Sequence, residues 1–287
     1  MHTAGGEARG VSFDGPQPAA GEPRSRERKA DSVTTYLDSP VPLAFAHRGG
    51  AAEGDENTAE AFARAVGLGY RYVETDVHAT SDGVAVVFHD PTLDRVAGQA
   101  GRIDRMRWAD LSTVRVGGAA AVPRLDEVLA AWPRVRFNID VKADTGIAPT
   151  VETVRRAGAG GRVLLASFSD ARLARLRTLA GPDVATSLGM RAVARLRVAS
   201  LTGRRLMLPA SAVAAQVPVR YGRMRVVDRR FVAHAHKLGL QVHVWTIDNP
   251  AEMHELLDLG VDGIMTDRVD VLRDVYVQRG VWHEGAE

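Results

Sequence analysis

The chain has 287 residues, 45% hydrophobic and 25% charged, with 37 Lys and Arg against 35 Asp and Glu for a net charge of +2. One large barrel reaches that length as a single domain. The near-balance of charge argues against a nucleic-acid partner, and the lack of cysteine excludes disulfides and thiolate metal sites. No stretch approaches the roughly 20 apolar residues of a membrane span, so stable membrane insertion is not expected. The first residues are rich in Gly, Ala and Pro and broken by Glu7, Arg9 and Asp14, so they lack the apolar core of a secretory signal. The cytoplasm is the expected location.

In chain order, residues 1–38 have the composition of a disordered tail, and the charge run from Arg24 to Lys29 reads as solvated. The folded domain is expected over 39–287, with ordered sequence beginning near Pro42. From there β-rich runs recur at 43–47, 72–77, 136–141, 163–168, 184–188, 205–208, 241–246 and 263–266. Helical patterns lie between most of them. Ala61, Phe62, Ala65 and Val66 recur at helical spacing behind a capping Asn57 or Thr58, and Leu173, Leu176 and Leu179 repeat the pattern. Pro250 stands in the first turn of another helix after Asn249. Eight strand candidates alternating with helices predict an α/β fold of the TIM type, a closed (β/α)₈ barrel. An open doubly wound sheet is the alternative, but no Gly-x-Gly-x-x-Gly follows the first strand.

A ninth run, 84–89, follows the second strand across Thr80-Ser81-Asp82-Gly83, too short a link for a parallel crossover. Asp-Gly favours a two-residue hairpin turn. With Asp82 and Gly83 as its tip, the register sets His89 opposite Asp76. The stretch of about 91–122 then reads as a small insertion before the next barrel strand.

In a parallel barrel, chemistry gathers at the C-terminal ends of the strands. The first strand ends in His47-Arg48-Gly49-Gly50, the second carries Glu74-Thr75-Asp76, the third carries Asp140-Val141-Lys142, and the hairpin ends in His89-Asp90. Alternate spacing puts Glu74 and Asp76 on one strand face. Glu74, Asp76 and Asp140 offer hard oxygen ligands for Mg²⁺ or Ca²⁺. Arg48 and Lys142 suit a phosphoryl group, and His47 and His89 exchange protons near neutral pH. Each piece has a structural alternative: a packed histidine, a buried ion network, a tight glycine turn. Ions at three strand ends, however, are a costly way to stabilise a barrel. His78 continues the Glu74–Asp76 face and carries less weight, and His243 reads as packed. His234 and His236, two apart on a helix, do not share a face. Trp245 ends the seventh strand as either a core residue or a substrate-facing wall.

With these residues assembled, the sequence resembles the glycerophosphodiester phosphodiesterase family. The matching stretches are Ala46-His47-Arg48-Gly49, Glu56-Asn57-Thr58, Glu74-Thr75-Asp76-Val77, Asp82-Gly83 with His89-Asp90, and Asn138-Ile139-Asp140-Val141-Lys142. Ser167-Phe168, Val244-Trp245-Thr246 and Gly260-Val261-Asp262-Gly263-Ile264 through Thr266-Asp267 complete the set, in family order. The resemblance implies a barrel with an insertion after the hairpin. It implies His47 and His89 as the catalytic pair, Glu74, Asp76 and Asp140 as ligands of a divalent ion, and Arg48 and Lys142 beside the phosphate. The family commonly has Glu at the Asp140 position, one methylene longer, and Pro where this chain has Asp55. The implied reaction is hydrolysis of a small-molecule glycerophosphodiester to sn-glycerol 3-phosphate and an alcohol.

Two rivals remain at this level. One is a phospholipase C- or D-like enzyme on acylated lipids, which should carry an apolar loop; the only candidate is Met106 to Trp108. The other is a catalytically silent barrel that binds phosphodiesters, against which both histidines and the carboxylates are retained.

Overall fold

Strands send alternate side chains to opposite faces, so in a barrel each strand divides into an inward and an outward set. The structure, a computed structural model, describes residue 2 and residues 35–39 and 42–283. In chain order the elements are β1 (Leu43–Ala46), α1 (Ala59–Gly67), β2 (Tyr72–Ala79), β3 (Ala85–Val87), α2 (Leu125–Ala131) and β4 (Arg136–Val141). Then come α3 (Ile147–Arg156), β5 (Val163–Ala166), α4 (Asp170–Ala180), β6 (Ala185–Ser187), α5 (Met190–Thr202) and β7 (Ala212–Pro218). The chain closes with α6 (Arg229–Lys237), β8 (Gln241–Trp245), α7 (Pro250–Leu259), β9 (Gly263–Thr266) and α8 (Val269–Gln278). Among the described residues, eight parallel strands run in the order β1-β9-β8-β7-β6-β5-β4-β2, and β2 pairs back to β1 to close the barrel. β3 lies antiparallel on β2. No described helix is long and apolar enough to cross a membrane.

The outward faces supply Val73, Val77, Phe137, Ile139, Leu165, Val242 and Ile264, which pack against Phe62, Leu125, Leu176, Phe231, Leu256 and Leu272 of the surrounding helices. Burial of each such side chain contributes about 1.5–3 kcal/mol. The helices start where small polar residues cap them. Thr58 accepts from the Ala61 amide, Ser169 from Arg172, Asp228 from Phe231, and Asn249 from Ala251 and Glu252 ahead of Pro250. Of the two candidate caps for α1, Thr58 does the work, which leaves Asn57 free for the site.

The inward faces form a plug below the site. Phe45, Tyr72, Leu164, Ala185, Ala214 and Met265 pack with Tyr36, which is fully buried and lies edge-on to Tyr72 at 5.5 Å. The Tyr72 hydroxyl donates to the Tyr36 carbonyl at 2.6 Å. Ordered sequence was expected to begin near Pro42; the described residues also include 35–39, where Tyr36 buries a large apolar ring in the barrel floor. The rest of the expected tail lies outside the described residues, Met1 and residues 3–34 being undescribed. His243 is fully buried in the same interior, 4.8 Å from the Phe45 ring. A Cβ on Gly263 would stand 2.9 Å from both rings, so only glycine fits beside them. Burial pushes the His243 imidazole down to about 3. It is neutral, donating from Nε2 to Gln241 at 2.9 Å and accepting at Nδ1 from Gln216 at 3.4 Å. The packed reading of His243 is the right one.

Two expected details differ. Residues 205–208 are not a strand: they follow the left-handed helix stop at Gly203, Met207 is fully exposed, and only Leu206 and Leu208 touch the core. The strand is β7, whose alanines and Gln216 hid it behind the more apolar run before Pro209. The hairpin is also one residue longer at its tip. Thr80 pairs with Val84 around Ser81-Asp82-Gly83, with Gly83 at φ 81°, a three-residue loop. Phe88, not His89, therefore stands opposite Asp76, its amide donating to the Asp76 carbonyl at 2.9 Å. The stretch after the hairpin builds a small core of its own from Phe88, Leu93, Ile103, Leu111, Val114 and Val122. Met106 and Trp108 pack against that core instead of forming an apolar loop.

Candidate active site

The turn after β1 is left-handed at three successive residues, Arg48 at φ 52°, Gly49 at 83° and Gly50 at 94°. Gly49 has no alternative, since a Cβ there would lie 2.6 Å from the Phe62 ring. The turn points the Arg48 amide at Glu74, with N–H to Oε2 3.1 Å. It also presents the His47 ring between two carboxylates. Nδ1 is 2.7 Å from Asp267 Oδ1, and Nε2 is 3.7 Å from Glu74 Oε2. Asp267 follows β9, which neighbours β1 in the barrel.

The parallel register of β2 on β4 pairs Glu74 with Asn138 and Asp76 with Asp140, all four buried and facing one cavity. Lys142 lies between the two aspartates, Nζ 2.7 Å from Asp76 Oδ1 and 2.8 Å from Asp140 Oδ2. Asn57, itself at φ 60°, donates to Asp76 Oδ2 at 2.9 Å and accepts from the Thr75 hydroxyl at 2.7 Å. Its neighbour Glu56 accepts from Arg48 at 3.0 Å and from Arg95 through two bonds of 2.9 and 2.6 Å. Asp55 instead ties the loop to α1 through a two-pronged bond from Arg64, both arms at 2.8 Å. That substitution touches the loop and not the cavity.

His89 reaches the same cavity from beyond the end of β3. Its Nδ1 is hydrogen-bonded to Asp90 Oδ1, and Arg95 holds the other Asp90 oxygen at 2.6 Å. His78 does not line the cavity; its Nε2 donates to the His89 carbonyl at 3.0 Å and braces that residue from behind. His236 is tied to Asp262 at 2.7 Å. All eight residues singled out from sequence, His47, Arg48, Glu74, Asp76, His89, Asp140, Lys142 and Trp245, line this one cavity of about 430 Å³.

Charge explains the titration of the site. Burial and the Asp76 carboxylate push Glu74 up to about 7. Burial opposes the His47 imidazolium, but Glu74 and Asp267 outweigh it and hold His47 above its ordinary value. Burial works against the Asp76 carboxylate too, yet Lys142, His89 and Arg48 keep it below the usual range. Asp140 is raised by burial, and its Oδ1 is buried with no hydrogen-bond partner. Both cations expected beside a phosphate are present but engaged by carboxylates. Among the described residues no three His, Asp or Glu side chains already stand in metal-ligating geometry, because Lys142 occupies the gap between two of the candidates.

The opposite side of the cavity is apolar. Trp245 and Phe168 meet edge to face at 5.5 Å, and Met190, Val193, Tyr221 and Met224 continue that wall. Sequence reasoning gave no role to Asp267, Asp90, Glu56, Asn57 or Arg95. The first two obey the strand-end rule that found the others, and Glu56 and Asn57 were visible as a matching motif. Nothing in sequence marks Arg95, which enters from the insertion.

A family model described as the Glycerophosphoryl diester phosphodiesterase family matches residues 47–271. A Mycobacterium tuberculosis protein named probable glycerophosphodiester phosphodiesterase 2 is 43% identical over 246 residues, covering 84% of this chain and 92% of its own. The crystal structure of a putative glycerophosphoryl diester phosphodiesterase from Silicibacter pomeroyi matches with a TM-score of 0.73 at 26% identity, over 88% of this chain and 99% of that one. A phosphodiesterase of Oleispira antarctica, solved in complex with the product sn-glycerol-3-phosphate, shares the fold at a TM-score of 0.67 and 21% identity, over 83% and 97% of the two chains.

Proposed function

The chain belongs to the glycerophosphoryl diester phosphodiesterase family and is a hydrolase of glycerophosphodiesters, and we propose that it works with a divalent metal ion and with His47 and His89 as its acid–base pair. One observation carries this reading: a single cavity at the strand ends holds both histidines together with three buried carboxylates and two cations. Glu74, Asp76 and Asp140 gather carboxylate oxygens in one buried corner, an arrangement that a divalent cation would stabilise and that a phosphodiester anion alone would not. The donors suit a hard ion, being all oxygen, and the unpartnered Asp140 Oδ1 is a ligand position in waiting. Mg²⁺ and Ca²⁺ both suit such donors. When bound, the ion supplies positive charge against the phosphoryl oxygens.

The chain's own residues do the remaining work. Asp267 fixes His47 at Nδ1 and Asp90 fixes His89 at Nδ1, which leaves Nε2 of each ring for proton exchange. One imidazole withdraws the proton from the nucleophile and the other protonates the departing alcohol. Attack by water gives sn-glycerol 3-phosphate directly, whereas attack by the glycerol hydroxyl gives a cyclic phosphodiester that water opens in a second step with the two roles exchanged. Arg48 and Lys142 trade part of their carboxylate contacts for the phosphate, and Trp245 bounds the substrate on the far side. The products are sn-glycerol 3-phosphate and an alcohol, in keeping with the ligand of the Oleispira protein.

The test is glycerophosphocholine turnover in metal-stripped protein, with Mg²⁺ or Ca²⁺ binding followed separately by calorimetry. Activity should vanish on chelation and return with the ion, and Glu74→Ala should bind it far more weakly. Full turnover in stripped protein that shows no calorimetric binding would end the metal reading.

A further inference from the structure

The charged corner accounts for one side of the cavity only. Phe168, Met190, Val193, Tyr221, Met224 and Trp245 line the rest of the cavity as an apolar wall. Several of these side chains lie open to solvent: Tyr221 is 65% exposed, Met224 52%, Met190 51% and Phe168 49%. Large apolar side chains gathered and exposed at one place mark a binding surface, whereas single ones do not. Tyr221 and Met224 sit on a two-stranded hairpin, Arg220–Tyr221 paired with Met224–Arg225, that stands between β7 and α6 in the chain. Because the wall and the catalytic corner belong to one cavity, the occupant of the wall is part of the molecule whose phosphate lies at His47 and His89.

We propose that this wall seats a hydrocarbon chain carried by the substrate, so that the enzyme takes glycerophosphodiesters bearing an acyl or alkyl chain, with Tyr221 and Met224 as specificity-determining residues. The proposal rests on the phosphodiesterase reading above and deepens it. A quaternary ammonium against the aromatic rings is the competing occupant. Three of the wall's six side chains are aromatic, but across the cavity lining aliphatic groups outnumber rings, with Leu188, Val217 and Val226 beside Met190, Val193 and Met224. The Phe168 face already receives the Lys142 ammonium at 5.7 Å. Methionines at 190 and 224 are the flexible side chains that mould to a chain of variable shape. The chain has two possible points of attachment, the glycerol oxygen of a lysophospholipid or the alcohol esterified to the phosphate.

The experiment measures kcat/KM for two series below their critical micelle concentrations: 1-acyl-glycerophosphocholines and glycerophospho-n-alkanols, each of rising chain length, with glycerophosphocholine and glycerophosphoethanolamine as references. In one series kcat/KM should rise roughly two- to fourfold per methylene until the wall is filled, and the responding series identifies the point of attachment. Tyr221→Ser and Met224→Ser, exposed positions whose replacement leaves the fold intact, should flatten that slope. A flat or falling dependence with glycerophosphocholine still hydrolysed overturns the wall and spares the phosphodiesterase reading. A preference for choline over ethanolamine that vanishes in the two variants, without a chain-length slope, assigns the wall to the head group instead. A gain seen only above the micelle concentration and unchanged in the variants also overturns it. Failure to hydrolyse any diester brings down the reading beneath it.

Discussion

The two walls of the cavity are built by different means. On the side of β1, β2 and β4 charged and polar side chains position one another: Asp267 holds His47, Asn57 holds Asp76, Lys142 bridges two aspartates, and Glu56 joins Arg48 to Arg95. On the side of α5 and the Tyr221–Met224 hairpin, side chains are mostly apolar and partly open, with Arg197 turned to Asp228. Chemistry needs the first kind of wall, since proton transfer depends on fixed geometry. Accommodation of varied substrates needs the second. Stiff and adaptable surfaces thus face each other across one substrate.

The sharpest way to break this contrast is at the carboxylates. Glu74→Ala or Asp76→Ala should lower turnover by about 10³-fold or more, the several kcal/mol that a bound cation contributes. For Glu74→Ala the melting temperature should hold or rise, because a buried carboxylate pushed up to about 7 is no asset to folding. Asp76→Ala should instead lower it, since Lys142 and Arg48 lose a buried partner. A Glu74→Ala melting temperature that collapses along with activity would make Glu74 a structural residue and dissolve the distinction between the walls.

A smaller effect is expected where one side chain acts through another. Asp267→Asn should cost roughly 10-fold or more in kcat with little change in KM. Asp267 raises His47, so its loss should move the His47-dependent limb of the pH–rate profile to lower pH. An unmoved profile would reduce Asp267 to packing. Beneath both walls, His243 should affect stability and not turnover. Its folded value of about 3 lies below the unfolded value of about 6.5. Between those limits only the unfolded chain takes the proton, so stability is full above the window and falls as pH falls through it. The slope approaches about 1.4 kcal/mol per pH unit. Urea midpoints between neutral pH and about pH 4 should show this loss, and His243→Gln should lessen it. Smallest of all, Asp140→Glu should preserve or improve calorimetric metal affinity by lengthening the arm that carries the unpartnered oxygen. A collapse of affinity would show that Asp140 acts through the shorter geometry or not at all.

The same contrast explains what could be read in advance. Period-two alternation and the strand-end rule located His47, Glu74, Asp76, Asp140, Lys142 and Trp245 because each is fixed by local register. The hairpin brought His89 to the site although its register was wrong by one, since a residue just past the strand has reach to spare. β7 was missed because Ala212, Ala214 and Ala215 carry a weak apolar signal, and inward-facing Gln216 exists to satisfy His243. Arg95 and the apolar wall beyond Trp245 were invisible for a different reason. They are contributed by segments far apart in the chain, and only tertiary packing makes them neighbours.

The account rests most heavily on the division of acid and base work between His47 and His89. The direct measurement is the turnover of His47→Ala and His89→Ala on glycerophosphocholine and on a nitrophenyl ester of glycerol phosphate. Each variant should lose roughly 10²–10⁴-fold on glycerophosphocholine, and the double variant should lose less than the product of the two. Because nitrophenolate leaves without protonation, one variant alone should recover on the ester, and that one has lost the acid. Near-wild-type turnover of glycerophosphocholine by both single variants would contradict the paired mechanism.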